Sequence, residues 1–202
     1  MLSEHIEYLS DGRRLAAYDR AIRQVVRPGQ RVADLGCGSG VLGLMCLQAG
    51  ASHVLAIDET AILDIARESF ARAGFAEACA FVRANTLRTP VPDPVDVAIC
   101  DHVGYLGFDY GIVPMLRDAR RRYLKPTGSI IPATIRMSLA AVQSAACQKI
   151  VEQWNTPPVP AAYPDPARPS RVVRVVLWST HATTISASPS PSLHAAPVGT
   201  RP

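Results

Sequence analysis

The stretch Val32-Ala33-Asp34-Leu35-Gly36-Cys37-Gly38-Ser39-Gly40, followed by an apolar run and then by Asp58, decides the reading of this chain. It predicts a buried strand, a glycine turn, a helix opening near Val41, and a second strand with an acid at its tip. Glycine lacks a Cβ, so it reaches positive φ and leaves no steric wall against a ligand. The first amides of a helix have no intrahelical partner, and here they would face the space above the turn. A carboxylate ending the second strand can accept both hydroxyls of a ribose. The combination points to a nucleotide-cofactor site. A ligand-free glycine turn would leave Asp34 and Asp58 without a role.

Register separates two cofactor classes. The dinucleotide fingerprint G-x-G-x-x-G places its first glycine directly after the strand. Counted from Gly36, the third glycine would fall on Val41, and the register that does fit, Gly38 to Gly43, begins two residues late. Asp34, just ahead of the turn, has no part in the dinucleotide pattern but suits a cofactor with a cationic amino-acid tail. S-adenosylmethionine is therefore favoured over NAD.

The chain has 202 residues, enough for one domain or one domain with an appendage. Its formal charge is +4 and its pI about 8.9, yet the basic residues form no block beyond Arg120-Arg121-Arg122. On a helix these three point in different directions, which suits a solvated helix end better than a nucleic-acid patch. The five cysteines (Cys37, Cys46, Cys79, Cys100 and Cys147) are scattered among apolar neighbours without metal spacing. They read as reduced core residues, and no metal site is expected. No signal peptide and no membrane-spanning run is visible, so a soluble, cytoplasmic protein is expected.

Short apolar runs alternate with helical stretches from residue 31 to 132, the pattern of an α/β fold with a doubly wound, mostly parallel sheet. Strands are expected at 32–35, 54–57, 80–82, 95–100 and 129–131. Helices are expected at 15–26, 41–49, 60–73 and 112–124, the last ended by Lys125-Pro126-Thr127-Gly128. The chain divides into an N-terminal helical segment (1–30), a cofactor-binding domain (31–142), a partial C-terminal region (143–178) and a low-complexity tail (179–202). Residues 157–169 hold six prolines, and 179–202 contain no acidic residue, so the tail is expected to be disordered.

The glycine loop, Asp58 and the later Asp101-His102-Val103-Gly104-Tyr105 resemble class I S-adenosylmethionine-dependent methyltransferases. Over roughly residues 5–140 the chain looks most like the catalytic half of protein arginine methyltransferases. The segment Tyr8-Leu9-Ser10-Asp11-Gly12-Arg13-Arg14-Leu15-Ala16-Ala17-Tyr18 follows that family's Met-Leu-x-Asp-x-x-Arg-x-x-x-Tyr element except at Tyr8. The resemblance implies that Arg14 clamps the cofactor carboxylate, a task its fork suits, and that His5 touches the cofactor. It further implies that Asp34 and Gly36 hold the methionine part within the Gly36, Gly38, Gly40 turn, that Asp58 holds the ribose, and that Asn85 and Thr86 border the adenine. Taken alone, Arg14 would be a surface arginine and His5 a terminal residue.

On the acceptor side the resemblance departs. The family grips a guanidinium with two glutamates; the first falls on Asp101 and the second on Tyr110, with Asp109 one residue early. Arginine stays protonated at ordinary pH, and two carboxylates neutralise it better than one carboxylate and a phenol. The family's Thr-His-Trp element is also missing. Asp101, His102 and Tyr110 are the candidate catalytic residues: Asp101 to orient a substrate donor, His102 either to accept a proton or simply to pack at the strand end, Tyr110 to wall the pocket beside Tyr105. The acceptor is expected to be a protein side chain or a small molecule. The alternatives are a shortened module that binds cofactor without turnover and an NAD-dependent oxidoreductase.

Overall fold

The computed structural model describes residues 2–91, 93–104 and 110–135, together with Ala145 and Lys149. The strands β1 (Arg31–Leu35), β2 (His53–Asp58), β3 (Cys79–Arg83), β4 (Val95–Cys100) and β5 (Leu124–Ile131) form one sheet in the order β3-β2-β1-β4-β5. Every neighbouring pair is parallel. The helices are α1 (Leu2–Ser10), α2 (Gly12–Val25), α3 (Val41–Gln48), α4 (Leu63–Arg72) and α5 (Ile112–Asp118), the last running into a π-helical turn, Ala119–Tyr123.

The period-two alternation of a strand sends side chains to two separate cores. Val32, Val97 and Ile99 pack with Tyr18 and Ile22 of α2, Leu42 of α3 and Phe70 of α4. Ala33, Leu35, Ala98 and Cys100 pack on the other face with Ile112 of α5 and Tyr123. Helices on both faces of a parallel sheet are the doubly wound arrangement expected from the sequence. The chain runs outward from β1 to β3, then crosses back to β4 beside β1. β1 and β4 stay paired to their ends, and the chain leaves them toward opposite faces, to α3 and to α5, which opens a crevice at that switch point.

Several expected boundaries move, each for a local reason. Helix α2 starts at Gly12 because Asp11 caps it, its Oδ1 accepting from the Arg14 amide at 3.0 Å. Helix α4 starts at Leu63 and not at 60 because Thr60 is held in a turn, its amide and hydroxyl both donating to Asp58 Oδ1 (2.8 and 2.7 Å). The helix expected over 112–124 widens into the π turn after Asp118. Lys125-Pro126-Thr127-Gly128 does not lie outside the sheet as expected but within β5. Leu124 pairs with Val95 and Ser129 with Val97, so those four residues bulge out against Asp96 alone. As β5 is an edge strand, Pro126 costs no ladder bond there. Apart from Ala145 and Lys149, the segments 143–178 and 179–202 lie outside the described residues, as do Tyr105 and Asp109. No helix among those described is long and apolar enough to cross a membrane.

Phe70 is fully buried, meets Phe81 edge-on at 5.2 Å between centroids, and supports Gly40 from below. Phe70→Ala is expected to destabilise the fold by about 3–5 kcal/mol, read as a fall in the urea midpoint at unchanged slope.

Candidate functional site

A cavity of about 450 Å³ lies over the C-terminal ends of β1 to β4. His5, Arg14, Asp34, Gly36, Gly38, Asp58, Asn85, Thr86, Asp101, His102 and Tyr110 all line it. Gly40 stands off the wall. Its φ of +79° opens α3, and a Cβ there would meet Phe70 at 2.8 Å.

The glycine turn bonds to its own surroundings. Gly36 and Cys37 donate to the Ile57 carbonyl (2.8 and 3.0 Å), Gly38 to Asp58 Oδ2 (2.9 Å) and Gly40 to the Cys37 carbonyl (2.8 Å). At the helix start, the Gly43 amide donates to Asp34 Oδ2 at 2.8 Å. This differs from the expected free helix-end amides facing the ligand space: a strand carboxylate has taken one. A Cβ on Gly43 would lie 3.0 Å from that same oxygen, so glycine is what allows the approach.

Asp34 is almost wholly buried. Burial pushes its carboxyl up to about 7, with the Asp58 charge adding to the rise and the Gly43 bond opposing it. Asp58 is held on three sides, by Gly38 and twice by Thr60, yet a carboxylate offers about four lone-pair positions, so it can accept one more hydroxyl. Next to it Glu59 accepts from Asn85 Nδ2 at 3.2 Å, while Asn85 Oδ1 takes the Leu87 amide at 3.0 Å. Glu59, Thr60 and Leu87 also line the cavity, and sequence reasoning passed over them. Their adjacency to Asp58 and Asn85 was the available signal.

The N-terminal helices close the cavity's open side. The His5 ring packs on Gly38, where a Cβ would come within 3.0 Å of it. Arg14 is largely buried, with its guanidinium 4.3 Å from the Tyr8 ring centre. Its Nη1 donates to the Tyr8 carbonyl at 3.2 Å and its Nη2 pairs with Asp101 Oδ2. Burial lowers the Arg14 pKa, opposed by Tyr18, Tyr8 and Asp11. Its Nε is buried with no hydrogen-bond partner among the described residues. Tyr18 reaches the same place from α2: its hydroxyl lies 2.9 Å from Asp101 Oδ1 and 3.1 Å from the Cys100 carbonyl. Arg14 and Asp101, expected to serve different ligands, thus touch. Tyr18, like Glu59, Thr60 and Leu87, is not assigned to the site by the sequence pattern, although it ends the segment that contains Arg14.

His102 lies against the glycine turn. Its Nε2 is 3.2 Å from the Gly36 carbonyl, a bond that requires the proton on Nε2 and leaves Nδ1 as the ring's acceptor. A Cβ at Gly36, where φ is +67°, would fall 2.0 Å from that nitrogen. Tyr110 sits 40 % exposed at the rim, just before Gly111 and α5. Among the described residues no group of three or more His, Cys, Asp or Glu could hold a metal ion.

Comparison with known proteins bears on this geometry. Residues 32–128 match the family model described as a methyltransferase domain. The chain is 30 % identical over 155 residues to protein arginine N-methyltransferase 1 of Dictyostelium discoideum, covering 75 % of this chain and 46 % of that protein. It is 34 % identical over 140 residues to protein arginine N-methyltransferase PRMT10 of Arabidopsis thaliana, covering 68 % and 37 %. The crystal structure of Arabidopsis thaliana protein arginine methyltransferase 10, described as a uniquely open conformation, superposes with a TM-score of 0.69. There the identity is 30 %, over 77 % of this chain and 45 % of that one. The chain carries a class I S-adenosylmethionine-dependent methyltransferase domain, related to the catalytic half of protein arginine methyltransferases. It spans less than half the length of these relatives.

Two outcomes test the site. Gly36→Ala is expected to lower the melting temperature sharply, since it adds both a clash with His102 and a positive-φ penalty. Adding His102→Ala should recover only part, because the backbone penalty of about 1 kcal/mol remains. For Asp34, a folded-state pKa of about 7 against an ordinary 3.8 means that the folded chain holds a proton the unfolded chain has lost between those values. Wild-type stability from this group is thus full below pH 3.8 and lost as pH rises towards 7. Asp34→Asn should therefore gain stability relative to wild type across that interval, measured by urea unfolding at stepped pH.

Proposed function

We propose that this cavity binds S-adenosylmethionine and that the chain transfers its methyl group to an acceptor entering beside Asp101 and Tyr110. The observation that carries this reading is the glycine turn's internal bonding. The amides of Gly36, Cys37, Gly38 and Gly40 are spent within the protein. A dinucleotide's pyrophosphate needs such amides free. A nucleoside with an amino-acid tail and no phosphate needs only the close approach that glycine permits, so an NAD-dependent oxidoreductase is disfavoured.

The donor set fits that ligand group by group. Arg14 offers a buried cation, with Nε unspent, to a carboxylate. Asp34 faces an ammonium, Asp58 a ribose hydroxyl, and Asn85 with Thr86 the base. When bound, the cofactor supplies an electrophilic methyl on a sulfonium. The chain's own residues position the acceptor, exclude water and take up a proton where the nucleophile carries one. Asp101, fixed by Arg14 and Tyr18, orients a donor on the acceptor, and His102 Nδ1 is the proton-accepting atom beside it. The acceptor class is a protein side chain, arginine among the candidates, or a small molecule. One observation favours a second reading, a module that binds cofactor without turnover: Asp101 is already engaged inside the protein, its Oδ1 accepting from Tyr18 and its buried Oδ2 ion-paired with Arg14.

Calorimetric titration with S-adenosylhomocysteine should show saturable binding to wild type and at least a tenfold loss, about 1.4 kcal/mol, in Asp58→Ala and Gly36→Val. Equal binding by all three, or by none, overturns the site. Asp34 must be ionised to meet an ammonium, and its carboxyl stands at about 7. Affinity should therefore rise from pH 6 to 8 in wild type and stay flat in Asp34→Asn. Transfer of labelled methyl groups to a protein extract and to a metabolite pool separates the acceptor classes; binding without transfer to either supports the non-catalytic module.

A further inference from the structure

The basic triplet Arg120-Arg121-Arg122 has the sequence pattern of one solvated helix end, yet its third member turns inward. Arg122 is about two-thirds covered and gripped through Nε (2.7 Å) and Nη2 by Asp118 one turn earlier. From there it reaches across the chain: Nη1 donates to the Thr89 carbonyl at 2.7 Å and Nη2 to the Thr86 carbonyl at 2.8 Å. The next residue, the fully buried Tyr123, donates its hydroxyl to the same Thr86 carbonyl at 2.6 Å. Both lone pairs of one carbonyl are thus filled by two successive side chains.

The π turn explains how neighbours in sequence converge on one atom. Closing hydrogen bonds to the fifth residue puts more residues in each turn, which narrows the angle between consecutive side chains. What they converge on matters equally. Residues 84–94 cross from β3 to β4, and among the described residues of this stretch none is helical. The cavity nevertheless takes Ala84, Asn85, Thr86 and Leu87 of that crossover as its wall on the β3 side. A helix-free crossover holds a wall in place only if something outside it fixes its peptide planes. Internal bonds supply part of this, with Arg88 and Thr89 donating to the Asn85 carbonyl (both amides at 3.0 Å). The Thr86 peptide is fixed from the other core layer by Arg122 and Tyr123.

We propose that Arg122 and Tyr123 are positioning residues that set cofactor-base selectivity, by orienting the Thr86–Leu87 peptide against the nucleoside end of the cavity. This rests on the methyltransferase reading above and extends it to residues that do not line the cavity. Neither residue lines the cavity, so both act through the Thr86 carbonyl that they share.

The test is calorimetry on the full chain with two ligands, S-adenosylhomocysteine and its inosine analogue S-inosylhomocysteine, for wild type, Arg122→Ala, Arg122→Lys and Tyr123→Phe. Arg122→Ala should bind the adenosine ligand about tenfold more weakly, the loss expected of a charge-assisted bond, and should compress the ratio between the two ligands. Arg122→Lys, which keeps the charge but reaches one carbonyl in place of two, should recover part of the ratio. Tyr123→Phe removes only a hydroxyl and keeps the packing. It carries the test if Arg122→Ala fails to fold, and about a threefold compression of the ratio is expected from it. A wild-type ratio in Arg122→Lys and Tyr123→Phe, or equal weakening of both ligands in every variant, would overturn the proposal. If wild type binds S-adenosylhomocysteine and Asp58→Ala does not, the cofactor reading stands whichever way the ratios fall. If wild type binds neither ligand, the cofactor reading falls and the proposal with it.

Discussion

The contact between Asp34 and the Gly43 amide joins the central strand to the helix that follows it, and much of the site's shape depends on it. A carboxylate placed inside a sheet core meets a large desolvation cost, which a short bond from a helix N-terminus offsets only in part. The cost is visible in the raised pKa of the group. The two elements must meet at that point, and glycine at 43 lets them. With α3 seated there, the chain entering it at Gly40 has to turn through positive φ at Gly36, Gly38 and Gly40. That turn forms the floor of the cavity. Folding and ligand chemistry thus share one acid, whose charge is least comfortable until a cation is near.

The same economy governs the other side of the cavity. Arg14 and Asp101 reach it from α2 and from the end of β4, and each limits the other's freedom. Tyr18 completes the set by bridging Asp101 to the strand-end carbonyl of Cys100. An arginine held between an aromatic ring, a carbonyl and a carboxylate gives up rotamer freedom before any ligand arrives. A carboxylate held this way is aimed, at the expense of being available. Toward the cavity, Asp101 therefore presents a partly neutralised pair.

Legibility in the sequence followed physical locality. The first four strands, the glycine turn and Asp58 depend on patterns within some thirty residues, and they appear in the fold where period and spacing put them. The boundaries that moved were decided by single side-chain bonds: Asp11 to Arg14, and Asp58 to Thr60. The helix over 112–124 was misjudged at its end because a π turn and a bulged edge strand answer to the sheet beside them, and helix-stop residues mark both outcomes alike. In the site, the lining residues could be named one by one. Their mutual contacts could not, since Arg14 with Asp101 and His102 with Gly36 are joined across more than sixty residues. The inward turn of Arg122 was hidden for the same reason: nothing local distinguishes it from Arg120 and Arg121.

The His102 ring pressed on Gly36 has a consequence for how this site can change over time. One side chain backs the glycine turn and lines the cavity beside Asp101, so positions 36 and 102 cannot vary independently. A bulkier residue at 102 would press on a turn that has no slack, and a smaller one would leave a hollow beneath the ligand. On the proposed reading, a change at 102 that suits a new acceptor also disturbs the turn beneath the cofactor, whereas the exposed rim around Tyr110 can change without touching it.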